Sequence, residues 1–181
     1  MKSSIRNSSK KVIFLDFDGV LNTERWHNQA SREELKDEYG YRFDPVAVEN
    51  LSRIIEETGA AIVISSSWKC MGLAIMQKMW KDRQLPGKVI DITPNSVSDE
   101  FLLNVDLNDM DLLSIRGQEI KDWLIVKGGS DCKYVIFDDM NDVLQEQEAH
   151  FVWVDPAVGI TKENVDQAIR ILGGGIKNER L

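Results

Sequence analysis

Lys11-Val12-Ile13-Phe14-Leu15-Asp16-Phe17-Asp18-Gly19-Val20-Leu21 is the stretch whose reading decides the fold of this chain. The apolar run Val12 to Leu15 predicts a buried strand over Lys11 to Asp16. It ends in two carboxylates, Asp16 and Asp18, directly before a glycine. Like charges that close repel, so such a pair serves to hold a cation or to divide nucleophile and acid roles.

Working outward, the same alternation of short apolar runs and amphipathic helices continues along the chain. Asp44 as N-cap and Pro45 at the first helical position open a helix with Val48, Leu51, Ile54 and Ile55 on its apolar face, closed by Gly59. Ala60 to Ile64 predicts a second strand, running into Ser65-Ser66-Ser67-Trp68. A helix over Lys69 to Asp82 follows, then a strand over Val89 to Ile92. Arg116 to Lys127 reads as a helix. Tyr134 to Phe137 is a strand that runs into Asp138-Asp139, and Phe151 to Val154 is another. Thr161 caps a last helix bearing Val165, Ala168, Ile169 and Leu172. Phe17 to Phe43 reads as polar and irregular, and Asn95 to Ser114 follows no clear period.

This order predicts an α/β fold, a Rossmann-like three-layer sandwich with a mostly parallel sheet. Ligands in such sheets sit beyond the carboxyl ends of the strands. The polar clusters Asp16/Asp18, Ser65/Ser66 and Asp138/Asp139 all fall at such ends.

Composition sets the outer bounds. The chain has 181 residues, 43% hydrophobic and 29% charged, which suits one domain with a real core. A single domain is expected over residues 11–172, with flexible tails at 1–10 and 173–181. The net charge of −8 disfavours strong nonspecific nucleic-acid binding, although a nucleic-acid end remains open as a substrate. Cys70 and Cys132 stand far apart in no metal-like spacing, as expected of free thiols in an intracellular protein. No secretory signal or membrane-spanning run is evident, which predicts a cytoplasmic protein without a membrane partner.

The chemistry follows from the residue types. Asp16, Asp138 and Asp139 offer hard oxygen ligands without histidine or cysteine, which suits Mg2+ rather than zinc. A phosphate among so many aspartates needs a further cation, for which Arg116, Lys121 and Lys69 are candidates. Ser65 or Ser66 supplies a hydroxyl donor for a phosphoryl oxygen. Of the first two aspartates, one attacks phosphorus and the other shuttles the proton. His27 and His150 are expected to be surface or satisfied histidines. The five tryptophans are expected to pack, with Trp26 and Trp68 nearest the site.

These motifs, in this order, resemble the haloacid dehalogenase-like superfamily of phosphohydrolases over about Lys11 to Ile160. The resemblance implies that Asp16 is the nucleophile and Asp18 the acid/base, with the backbone carbonyl of Asp18 on Mg2+. It implies a phosphate-binding Ser65, with Ser66 as a one-residue alternative in register. Arg116, in Arg116-Gly117-Gln118-Glu119-Ile120, fills the basic position, with Lys121 in play. Asp138 and Asp139 form the acidic pair, and Asp142 supports them. An acid at position 18 points to phosphate-ester hydrolysis rather than dehalogenation. The spacing leaves no room for a large cap, only for a small lid over residues 22–43. Members without a large cap act on macromolecular ends or borrow a neighbouring subunit, which leaves a homo-oligomer open. The segments Asp-Gly-Val-Leu-Asn, Ser-Ser-Ser-Trp-Lys and Glu-Ile-x-x-Trp-Leu resemble the phosphatase domain of RNA-repair proteins. The expected substrate is thus a phosphomonoester, either a small molecule or a nucleic-acid terminal phosphate. A receiver-like phosphoacceptor domain and a catalytically idle binding module of the same fold are the rivals. The first would place its phosphoacceptor on a middle strand.

Overall fold

The computed structural model describes residues 10–95 and 115–173. All but one residue of each expected tail and most of the Asn95 to Ser114 stretch lie outside them. Strand β1 (Lys11–Leu15) is the middle of a sheet in the order β5-β4-β1-β6-β7. Its neighbours are β4 (Ala61–Ile64) and β6 (Lys133–Asp138); β5 (Val89–Ile92) and β7 (Phe151–Trp153) form the edges. All four pairings are parallel. After β1 the chain builds outward through β4 and β5, then returns to the other side of β1 for β6 and β7. The order therefore reverses between β1 and β6, and a crevice opens at their carboxyl ends.

Both faces of the sheet are covered, which is why β1 reads as a continuous apolar run. Side chains alternate along a strand. Ile13 and Leu15 pack with Leu51 and Ile54 of α3 (Pro45–Thr58), Met76 and Met79 of α4 (Leu73–Asp82) and Val165 and Ala168 of α6 (Lys162–Ile171). Val12 and Phe14 face the other way, against Ile120 and Trp123 of α5 (Ile115–Trp123). Phe14 meets Trp123 edge to face, with ring centroids 5.3 Å apart. This is the expected three-layer sandwich.

Helix α3 is built as the sequence predicts. The Asp44 side chain accepts from Val46 N, Pro45 begins the helix, and Gly59 ends it at φ +67°. Two expected helices change character. The predicted helix over Lys69 to Asp82 is instead a 3-10 turn over Ser67–Met71 and then α4, separated by Gly72 at φ +86°, a conformation helical residues do not adopt. Similarly, α5 gives way at Trp123 to a wider turn over Leu124–Gly128.

The stretch from Phe17 to Phe43 is a further correction, for it is ordered. It contains α1 (Glu24–Gln29), α2 (Arg32–Leu35) and a small antiparallel hairpin of β2 (Lys36–Asp37) with β3 (Gly40–Tyr41). Long-range contacts that period analysis does not register hold it in place. Arg83 donates twice to Asp37, at 2.7 and 2.9 Å, pinning the hairpin to the end of α4. Buried Asp44 accepts from Thr23 Oγ1 and Arg25 Nη2, both at 2.7 Å, pinning the start of α1 to α3. Among the described residues this segment borders the crevice, which Asn22, Glu24, His27 and Tyr41 help to line.

Candidate active site

The site grows from the end of β1. Asp16 N continues the sheet by donating to Phe137 O at 3.0 Å, which delivers the Asp16 side chain to the crevice. The chain then turns tightly, with Val20, Leu21 and Asn22 all donating their backbone N–H to Phe17 O. Gly19 sits at φ +77°, and a Cβ there would collide with the Asp139 carboxylate. Only glycine fits that turn beside that acid.

Strand β6 brings the second pair of acids. Asp16, Asp138 and Asp139 each offer a carboxylate oxygen, and these oxygens lie within 4.8 Å of one another. Arg116 reaches both buried members, with Nη1 3.5 Å from Asp16 Oδ1 and Nε 3.4 Å from Asp138 Oδ2. Its placement depends on the loop after β6. The Asp142 side chain accepts from Arg116 N at 3.1 Å and its carbonyl accepts from Gly117 N at 2.9 Å, capping α5. Gly117 permits this approach, since a Cβ would come 2.6 Å from Leu144 N.

Burial dominates the electrostatics. It raises Asp16 from 3.8 to about 6, against the opposing pull of Arg116. It raises Asp138 to about 7, again against Arg116, and raises Asp139. Taking carboxylates out of water disfavours their charged form, and one guanidinium does not compensate three of them. When all three are ionised they outweigh the one guanidinium by two charges, which matches a divalent cation. The donor set is all oxygen, as Mg2+ prefers.

Ser65 and Ser66 are each 1% exposed, and neither hydroxyl has a hydrogen-bond partner among the described residues. Ser66 lies close enough to Asp16 to favour its ionised form, although the geometry falls short of a formed hydrogen bond. Buried hydroxyls left open are costly and invite a ligand oxygen. Asp18 differs from Asp16 in being exposed. Its two oxygens accept from Asn22 Nδ2 at 2.8 Å and Trp68 Nε1 at 3.0 Å. Asp16, Asp18, Arg116 and Asp139 line one open cleft of about 730 Å³, with Asn22, His27, Tyr41, Trp68 and Met140 on its walls.

Two of the expected cations stand elsewhere. Lys121 is on the outer side of α5, paired with exposed Glu146 at 2.9 Å. Lys69 pairs with Glu119 at 2.5 Å and lines a separate cleft beside β5 with Asp91 and Thr93. Arg116 is the cation that meets the aspartates. Sequence reading placed Asn22 and His27 in an expected small lid and gave neither a part in the chemistry. The signal for Asn22 was its place four residues after Asp18, at the close of the same tight turn.

A model of the HAD (haloacid dehalogenase) domain in Swiss Army Knife RNA repair proteins matches residues 12–165. The chain belongs to this family. A search of curated proteins finds no match to it. The HAD assignment implies phosphohydrolase chemistry, and HAD domains generally use Mg2+. The HAD match spans β1 to the first turn of α6, so it takes in all the residues of the cleft. No helix among the described residues is long and apolar enough to cross a membrane.

Proposed function

We propose that this chain is a Mg2+-dependent phosphomonoester hydrolase that works through an aspartyl-phosphate on Asp16. Its substrates are nucleotide or nucleic-acid terminal phosphates, the class that the family's RNA-repair setting favours. The observation that carries the reading is the convergence of Asp16, Asp138 and Asp139 within 4.8 Å, with Arg116 bridging Asp16 and Asp138.

Asp16, Asp138, Asp139 and the backbone carbonyl of Asp18 would hold the ion, whose charge offsets that of the carboxylates and of the phosphoryl oxygens. In the first step an Asp16 oxygen attacks phosphorus, and the bond from phosphorus to the ester oxygen breaks. Asp18 gives its proton to that leaving oxygen. In the second step Asp18 takes a proton from a water whose oxygen attacks phosphorus. The bond to Asp16 breaks, inorganic phosphate leaves, and both aspartates return to their starting states. Arg116 Nη1 and the open hydroxyls of Ser65 and Ser66 are suited to donate to the phosphoryl oxygens, where charge grows in the transition state. Burial of Asp16 beside Arg116 suits a nucleophile, and exposure of Asp18 at the cleft wall suits a group that meets leaving oxygen and water in turn.

Hydrolysis of 4-nitrophenyl phosphate with Mg2+ and with chelator, for the parent and Asp16→Asn, tests the mechanism. Magnesium-dependent turnover that the variant lacks is expected. No such turnover in the parent, or equal turnover in both, overturns the reading. Nucleoside monophosphates and oligonucleotides with 5′- or 3′-phosphate then test the substrate class.

A further inference from the structure

Asp18 is gripped from two sides, and the grip has a direction. Trp68 Nε1 can only donate, so Asp18 Oδ2 is an acceptor at that contact. Asn22 Nδ2 donates to Asp18 Oδ1 at 2.8 Å, so the NH2 end of Asn22 faces the carboxyl. Asn22 Oδ1 is thereby turned toward His27, whose Nε2 lies 2.5 Å away. Nε2 must then carry a proton and donate it, which assigns the tautomer from the network. Donors run in one sense, from His27 to Asn22 to Asp18.

The parts of this grip are themselves fixed. Asn22 is 7% exposed, its N–H donates to Phe17 O at 2.8 Å, and its carbonyl accepts from Gly19 N at 2.9 Å. Trp68 packs edge-on against Phe17 and tilted against Phe43, at centroid distances of 5.6 and 5.9 Å. His27 leans on Tyr41 at 4.6 Å, and its backbone N–H donates to Thr23, at the root of α1. Each carboxyl oxygen has two lone pairs, so one N–H on each leaves a site on each for the proton to be transferred.

We infer that Asn22 and Trp68, together with His27 acting through Asn22, are positioning residues that hold the Asp18 carboxyl in one rotamer facing the leaving oxygen. The inference rests on the reading of Asp18 as acid/base. An exposed aspartate would otherwise spread over several rotamers, and orienting it in advance removes that cost from the transition state. Asn22 and His27 belong to the lid and Trp68 to the turn after β4. The lid thus contributes to proton transfer as well as to shape.

The leaving group reports the difference between positioning and mere scaffolding. Nitrophenolate departs without a proton, whereas the alkoxide of a nucleoside 5′-monophosphate needs one. kcat/KM covers events up to the first irreversible step, so it reports transfer to Asp16 and not the later hydrolysis. Trp68→Phe, Asn22→Leu and His27→Phe are each expected to lower kcat/KM for the nucleotide at least about tenfold more than for 4-nitrophenyl phosphate. Trp68→Phe removes the N–H but also shrinks the indole to a single ring against Phe17 and Phe43, so thermal unfolding of this variant separates loss of the grip from loss of packing. His27→Gln restores an N–H toward Asn22 and should recover most of the loss of His27→Phe. Equal losses on both substrates, or no loss on either, overturn the inference while leaving the phosphatase reading intact. Failure of His27→Gln to recover activity overturns the role of His27. A parent protein without magnesium-dependent turnover overturns both readings.

Discussion

Replacing Asp16 by asparagine should abolish the chemistry and make the metal-free protein more stable. The carboxyl is raised from 3.8 to about 6, chiefly by burial and despite Arg116. The folded state therefore binds this proton more tightly than the unfolded chain. The corresponding stability is present at low pH and is lost as pH rises from about 4 through about 6. Above pH 7 the loss is roughly 2.2 units times 1.36, or about 3 kcal/mol, and at pH 5 it is about half of that. Asparagine does not titrate, so the variant escapes the loss. For a chain of this length the gain corresponds to a rise in Tm of about 6–12 °C at pH 8. Thermal unfolding of parent and variant in chelator at pH 8 and pH 5 reads this directly. A Tm difference independent of pH, or a variant less stable at pH 8, would refute the reasoning. Saturating Mg2+ should then close the gap, since the ion relieves in the parent the repulsion that the variant lacks.

Magnesium binding should release protons and weaken as pH falls from 8 to 6, because Asp138 at about 7 and Asp16 at about 6 must give up theirs. Calorimetry in buffers of different ionisation heat measures the release. Arg116→Met should lower the Tm of the metal-free protein more at pH 8 than at pH 5, since it strips the counter-charge from two buried carboxylates. Lys121→Met, whose partner Glu146 is exposed, should stay within about 0.5 kcal/mol of the parent in urea unfolding. Gly19→Ala should cost about 1–2 kcal/mol for its left-handed backbone alone, and lose most turnover by displacing Asp139. Raising salt should lower kcat/KM for a phosphorylated oligonucleotide only shallowly, with a log–log slope near −1 rather than the several units of a backbone-tracking protein.

The sheet was legible because a parallel sheet covered on both faces leaves short continuous apolar runs, and Val12 to Leu15 is one. Helix α3 was legible through local chemistry, namely the Asp44 cap, Pro45 and Gly59. The segment after Asp18 was not, because its order comes from pairs distant in sequence, such as Arg83 with Asp37 and Asp44 with Arg25. Asp16, Asp138 and Asp139 were foreseeable, since strand ends of one parallel sheet share an edge. The choice among Arg116, Lys121 and Lys69 needed three dimensions. Residues 116 and 121 lie on different faces of α5, and residue 69 is held away by Glu119. Asn22 and His27 stayed hidden because a hydrogen-bond relay has no period.

On the proposed function, an acidic chain with an acidic cleft has to admit an anion. The chain carries a net charge of −8. Among the described residues lining the cleft, Arg116 and His27 are the basic ones, and His27 is turned toward Asn22. When ionised, Asp16, Asp138 and Asp139 outweigh Arg116 by two charges, which a divalent ion would offset, while Asp18 and Glu24 keep the cleft walls acidic. The remaining donors for a phosphoryl group are then neutral: the hydroxyls of Ser65 and Ser66, both buried and open. Such a site attracts a phosphate only at the point where these groups converge. It offers nothing comparable to the phosphates further along a strand. On the proposed reading, a terminal phosphate brings a single ester arm to this open cleft. An internal phosphodiester would have to bring a second arm into walls lined by Asp18, Glu24 and Asp139. On the proposed function, one cation among three carboxylates would therefore favour a strand's end over its interior.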